Sequence, residues 1–200
     1  MREVTMKVYS VEELSEKALG KAYYDWCTNS DYPWSSDNEK TMLEFERIFP
    51  VKITDWEYGG GYKYVEFHMT CDDEVADLEG FRLAKYIWNN YRTDLYDGKY
   101  YSRGRYVDGK YRYAYRCSKI ILEKDCPLTG YYLDYVILKP IWDFLDNPEP
   151  NVTFKDLMEE CLERWIDACS NDYDSYYSMN NFIEIAKDNN YEFFEDGSMF

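Results

Sequence analysis

The chain is poor in the residues on which most familiar catalytic chemistry depends. Its 200 residues include a single histidine, His68. Every triad built on a separate imidazole, and every metal site with two or three His ligands, would therefore have to pass through that one side chain. A lone His inside a strand-like run is expected to be structural. The six cysteines, Cys27, Cys71, Cys117, Cys126, Cys161 and Cys169, contain no C-x-x-C pair and no dense short-range framework. They read as reduced thiols packed as small apolar residues, with no zinc or dithiol motif. No GxSxG, Walker A, GxGxxG or HExxH pattern occurs, and Asp172-x-Asp174 lacks the Asp/Asn and Gly that a calcium loop needs next. No catalytic residue, metal ligand or cofactor is expected. Long apolar runs are missing too. The start, MREVTMKVYSVEELSEK, becomes charged before a signal-peptide core could form, so the reading is of a cytoplasmic chain that does not enter membranes.

Cations are the next scarcity. Lys and Arg number 23 against 39 Asp and Glu, a net charge of −16. Such a field repels phosphates and draws in basic surfaces, so the partner implied is a cation-rich protein. What the chain does have is aromatic mass: 20% Phe, Trp and Tyr, with 46% hydrophobic residues overall, far from the composition of a disordered segment. The expectation is one compact domain over residues 1–200, of α+β class. A mixed or antiparallel sheet of about four to six short strands packs with about five to six helices.

In chain order, Val4 to Tyr9 reads as a strand, and Ser10 with Glu13 has capping-box spacing for a helix carrying Val11, Leu14, Ala18, Ala22 and Trp26 on one face. A second helix runs from about Asn38 to Ile48. Two strands, Val51 to Tyr58 and Tyr62 to Met69, flank three glycines that suit a hairpin turn better than a phosphate cradle, because a strand and not a helix follows. Asp72 to Tyr91 reads as one amphipathic helix. Pro127 is placed to open another that carries on to Leu145. Near Thr153 begins the most periodic helix, whose Leu157, Met158, Cys161, Leu162, Trp165, Ile166 and Cys169 form an unbroken apolar stripe. Its other side carries Glu159, Glu160, Glu163 and Asp167, the residues expected to contact a basic partner. A last helix spans roughly Ser175 to Lys187, and Tyr191 to Glu195 reads as a final strand.

The charge is broken at one place. Lys99 to Lys124 holds eight Lys or Arg against two acids, so this stretch is +6 and the rest of the chain carries −22. Its Asp108-Gly109 dipeptide, between β-rich runs, calls for a type I′ turn. That register sets Val107 opposite Lys110, Arg105 opposite Arg112, Arg103 opposite Ala114 and Tyr101 opposite Arg116, with Tyr100, Tyr106, Tyr111, Tyr113 and Tyr115 on the reverse face. Arginine directly across from arginine is destabilising unless neutralised. Three neutralisers fit: the chain's own acids, a second subunit in a homodimer, or a nucleic acid or nucleotide whose phosphates meet arginine and whose bases stack on tyrosine. The residues concerned are Arg103, Arg105, Lys110, Arg112 and Arg116.

The opening VYSVEELSEKALGKA (Val8 to Ala22) and the ending NNYEFFEDGSMF (Asn189 to Phe200) resemble the two ends of small acidic, Tyr-rich proteins encoded by phages and mobile elements of Firmicutes. The resemblance implies a non-enzymatic inhibitor of host defence, of the anti-CRISPR or antirestriction kind. Such a protein acts in the host cytoplasm and occupies the basic nucleic-acid-binding surface of a host protein or ribonucleoprotein. The alternative reading from the residues is a nucleotide-binding or small-phosphoryl-ligand-sequestering protein built on the hairpin.

Overall fold

The computed structural model describes residues 6–99, 102–116 and 121–200, with side chains at all of these except 97–99, 102–107, 111–116 and 121. Elements follow in the order α1 (Glu16–Asn29), α2 (Ser35–Ile48), β1 (Val51–Gly59), β2 (Tyr62–Met69), α3 (Asp73–Ala76), α4 (Gly80–Leu95), β3 (Asp97–Lys99), β4 (Ser102–Val107), β5 (Lys110–Arg116), β6 (Ile121–Glu123), α5 (Tyr132–Asp146), α6 (Phe154–Tyr176) and α7 (Met179–Asp188), with a short 3-10 turn at Val11–Glu13. The class is α+β. The strands form separate two-stranded ribbons, β1 with β2, β3 with β6 and β4 with β5, so among the described residues the single expected sheet is absent. Alternation fixes which residues can pair but not which ribbons join. Among the described residues no helix is long and apolar enough to cross a membrane.

Contacts divide the chain into two compact units. The first comprises residues 1–34, 58–62 and 169–200. Ser15 caps α1 by accepting from the Ala18 amide at 3.3 Å, and Ala18, Ala22 and Trp26 recur at i+4 to make its buried stripe. Ser10 and Glu13 form the expected capping box, but it closes only one 3-10 turn. Val11, Ala22, Trp26, Phe182, Ala186 and Phe193 make this unit's core. The strands expected at Val4 to Tyr9 and Tyr191 to Glu195 reduce to single bridges, Tyr9 with Phe193 and Phe193 with Met199, while Val4 and Thr5 lie outside the described residues. Gly197, at φ +87°, packs so tightly that a Cβ there would sit 2.1 Å from the Ala18 carbonyl oxygen.

The second unit comprises residues 35–57 and 63–168. Its core holds Phe45, Leu83, Ile87, Leu95, Ile137, Ile141, Trp142, Phe154, Leu162 and Trp165, all buried. The two central indoles are satisfied by backbone: Trp142 Nε1 donates to the Leu95 carbonyl at 3.0 Å and Trp165 Nε1 to that of Asn38 at 3.2 Å. The expected helix from Asp72 to Tyr91 is broken. After α3 the chain extends, the Leu78 carbonyl accepts from the Phe154 amide at 2.9 Å, and Glu79 bridges to Thr153. Gly80 then starts α4 at φ +55°, where a Cβ would lie 3.2 Å from the Pro150 Cα. Docking onto the 148–154 segment overrides the helical period.

Helix α5 likewise begins at Tyr132 rather than at Pro127. The fully buried Asp134 carboxylate reaches back to accept from the amides of Thr129 at 2.6 Å and Gly130 at 2.9 Å, and from the hydroxyls of Thr129 at 2.7 Å and Thr41 at 3.2 Å. These bonds occupy the amides just ahead of the helix and tie α5 to α2. The final helix starts at Met179, capped by Ser178, because α6 runs on to Tyr176.

Candidate functional site

Helix α6 is built as expected, with an apolar stripe that anchors it and an acidic side that faces water. It starts in a reciprocal cap: Thr153 Oγ1 accepts from the Asp156 amide at 3.1 Å, and Asp156 Oδ2 accepts from the Thr153 amide at 3.0 Å. Hydrogen bonding to the Asp156 carboxyl from the Thr153 hydroxyl, and then from its backbone amide, holds that carboxyl below its usual range. Phe154, Leu157, Met158, Cys161, Leu162, Trp165 and Ile166 are buried, and Trp165 packs edge-on against Trp56 at 5.6 Å. The opposite side is rigid because this stripe cannot slide without opening the core.

On that side Glu159, Glu160, Glu163 and Asp167 are all exposed. They are not equivalent. Glu160 accepts from Arg164 Nε at 3.1 Å and Nη2 at 2.9 Å, and Asp167 pairs with Lys63 Nζ at 2.7 Å. Glu159 and Glu163 have no cationic partner among the described residues, and one helical turn separates them, roughly 6 Å of rise. The sequence shows the Glu160 to Arg164 spacing directly; Lys63 comes from a strand about a hundred residues earlier and leaves no local signal.

The basic hairpin forms with the turn its Asp-Gly dipeptide demands, Asp108 at φ 55° and Gly109 at φ 74°. Val107 pairs with Lys110 and Arg105 with Arg112, as the two-residue turn requires. The register then shifts. Gly104 pairs with Tyr113, Arg103 with Tyr115 and Ser102 with Arg116, leaving Ala114 as the extra residue of a β-bulge. This corrects the pairing of Arg103 with Ala114 and of Tyr101 with Arg116, so the run that aligns Arg105 with Arg112 ends at Gly104 and does not extend to Arg116. Lys110 at the turn is exposed. The side chains of Arg103, Arg105, Arg112 and Arg116, and of the tyrosines expected on the reverse face, lie outside the described residues, as do Tyr100, Tyr101, Cys117 and Ile120 altogether.

The first unit carries an aromatic cluster that the sequence did not single out. Tyr32 has ring centroids of Tyr173, Trp34 and Tyr176 at 5.3, 5.7 and 5.7 Å, and its hydroxyl donates to Asp172 Oδ2 at 2.7 Å. Trp34 remains 45% exposed at its margin and Tyr24 of the same unit 70%. These rings pack on one another and stiffen the end of α6; their exposed members offer large contact area at low entropic cost.

Among the described residues no group of three or more His, Cys, Asp or Glu is arranged to hold a metal ion. His68 is exposed on β2. Burial pushes the Cys161 and Cys169 thiols up, well away from thiolate reactivity. Comparison with protein-family models, with curated proteins and with solved structures finds no match to this chain.

Proposed function

We propose that the chain is a non-enzymatic binding protein whose α6 acidic side contacts a basic, nucleic-acid-binding surface of a partner protein, in the manner of a phage-borne inhibitor of host defence. The observation that carries this reading is the state of Glu159 and Glu163: two exposed carboxylates without a described cation, one turn apart on a helix whose other side is locked in the core. Flanking Glu160 and Asp167 keep local partners and set the edges of the patch. A net charge of −16 would speed encounter with a cation-rich surface and give the complex a marked salt dependence. Exposed aromatics such as Trp34 suit such an interface, since aromatic and arginine side chains dominate protein contacts.

The test is capture from a bacterial lysate at low salt, with double-stranded DNA added as competitor. Recovery of a nucleic-acid-handling protein that DNA displaces supports the proposal. Captured proteins that DNA leaves in place, or none at all, would count against it.

A further inference from the structure

A second surface of unit two, which includes none of the four α6 acids, has the features of a docking groove. The extended segment between α3 and α4 and the start of α4 make one side, and Pro148 and Pro150 make the other. The space is open and about 830 Å³. Leu78 and Tyr86 are half-buried in it, while Phe81 is 79% exposed, the most exposed of the chain's described large apolar side chains. A phenyl ring left in water forgoes stabilisation that burial under a partner would recover. The groove does not have to form on binding, because Gly80 is pressed on Pro150 and the Leu78 carbonyl is tied to the Phe154 amide at 2.9 Å.

The rim decides what fits. Glu74, Asp77 and Glu79 line it against one cation, Arg82. Among the described residues no Lys or Arg forms an ion pair with any of the three acids, although this chain pairs many of its other carboxylates. An apolar floor inside an acidic rim is complementary to a segment that carries a bulky apolar residue between lysines or arginines.

We propose that this groove binds a basic segment of a partner protein, with one large apolar side chain of that segment covering Phe81 and its cations meeting Glu74, Asp77 and Glu79. The proposal rests on the reading that the partner is basic, but it places the apolar anchor on Phe81 of α4 and not among the α6 acids.

The probe is a fluorescein-labelled twelve-residue peptide of arginines around two central leucines, with a control in which serines replace the leucines, each titrated into the full chain and read by anisotropy. The leucine peptide is expected to bind more tightly than the control. Phe81→Ala should weaken the leucine peptide by about thirtyfold, the scale of a buried aromatic anchor, and leave the control within twofold. Reversal of the rim, Glu74→Lys with Asp77→Lys, should weaken both peptides, and Glu159→Lys with Glu163→Lys should weaken them less. Equal binding of the two peptides, indifference to Phe81→Ala, or an α6 effect as large as the rim effect would overturn the proposal. Dimerisation of the wild type that Phe81→Ala abolishes would overturn it too, by making a second copy the occupant. If the peptide requires Phe81 while the captured partner ignores the α6 reversal, the groove stands and the α6 reading fails.

Discussion

Replacing Gly80 with alanine should destabilise the second unit by about 1–2 kcal/mol. Two terms make up that figure. At φ +55° an L side chain sits in the left-handed region, which costs roughly 1–2 kcal/mol for alanine. The new Cβ would also lie 3.2 Å from Pro150 Cα, a contact that backbone can relieve only by shifting a few tenths of an ångström. Against these, alanine restricts the unfolded chain and returns about 0.4–1 kcal/mol, so the net loss stays near the lower half of the sum. With a urea slope of about 2 kcal/mol/M, the middle of the usual range, the transition midpoint should fall by about 0.5–1 M. Gly80→Asn separates the terms, because asparagine carries the same Cβ but tolerates the left-handed region; it should lose about half as much as alanine. Hydrogen exchange read on peptides spanning 74–90 places the effect in the groove wall. Equal stability of wild type, alanine and asparagine variants, or an alanine variant more stable than asparagine, would refute the account of the break between α3 and α4.

Two further outcomes follow from buried groups. Asp134→Ala should cost about 3 kcal/mol or more in chemical denaturation, because the Thr129 and Gly130 amides each lose their acceptor, whereas Asp134→Asn keeps one oxygen and should lose less. For the thiols, burial raises Cys161 and Cys169 in the folded chain, so their protonated form contributes stability that is complete below the unfolded thiol value of about 8.5 and is lost as pH climbs above it. Denaturation midpoints should therefore fall between about pH 8.5 and 10, and Cys161→Ala with Cys169→Ala should flatten that slope even though it lowers stability at every pH. A slope unchanged by the double substitution would contradict their protonated burial.

The elements that could be read from sequence are those whose signals are local. The α6 stripe announces itself because apolar pairs recur at every turn from Leu157 to Ile166, and the type I′ turn because only residues such as Asp and Gly accept two positive φ angles in succession. The β1–β2 hairpin was legible for the same reason, with Val65, Phe67 and Met69 half-buried and Glu66 and His68 exposed. What sequence could not show are decisions made by distant partners. The break at Gly80 is imposed by Pro150 and Phe154, the late start of α5 by the Asp134 carboxylate, and the bulge at Ala114 by pairing that carries no glycine or proline cue on its own strand. The four α6 acids were visible as a set. The Glu160–Arg164 pair could be read from its spacing, but the pairing of Asp167 could not, since it depends on Lys63, and the Phe81 groove required the docking of the α3–α4 segment against Pro148 and Pro150 to be known.

The central claim, that Glu159 and Glu163 are held for a partner and not for the fold, is tested by measuring stability and partner affinity on the same variant, Glu159→Lys with Glu163→Lys. Both side chains are exposed, and the wild-type pair is a like-charge i,i+4 contact that the lysines replace with another. Stability should therefore stay within about 0.5 kcal/mol of wild type. Affinity for the DNA-displaceable partner should fall at least tenfold, with a shallower dependence on salt. A variant that folds as well as wild type and binds that partner with unchanged affinity and salt dependence would contradict the claim.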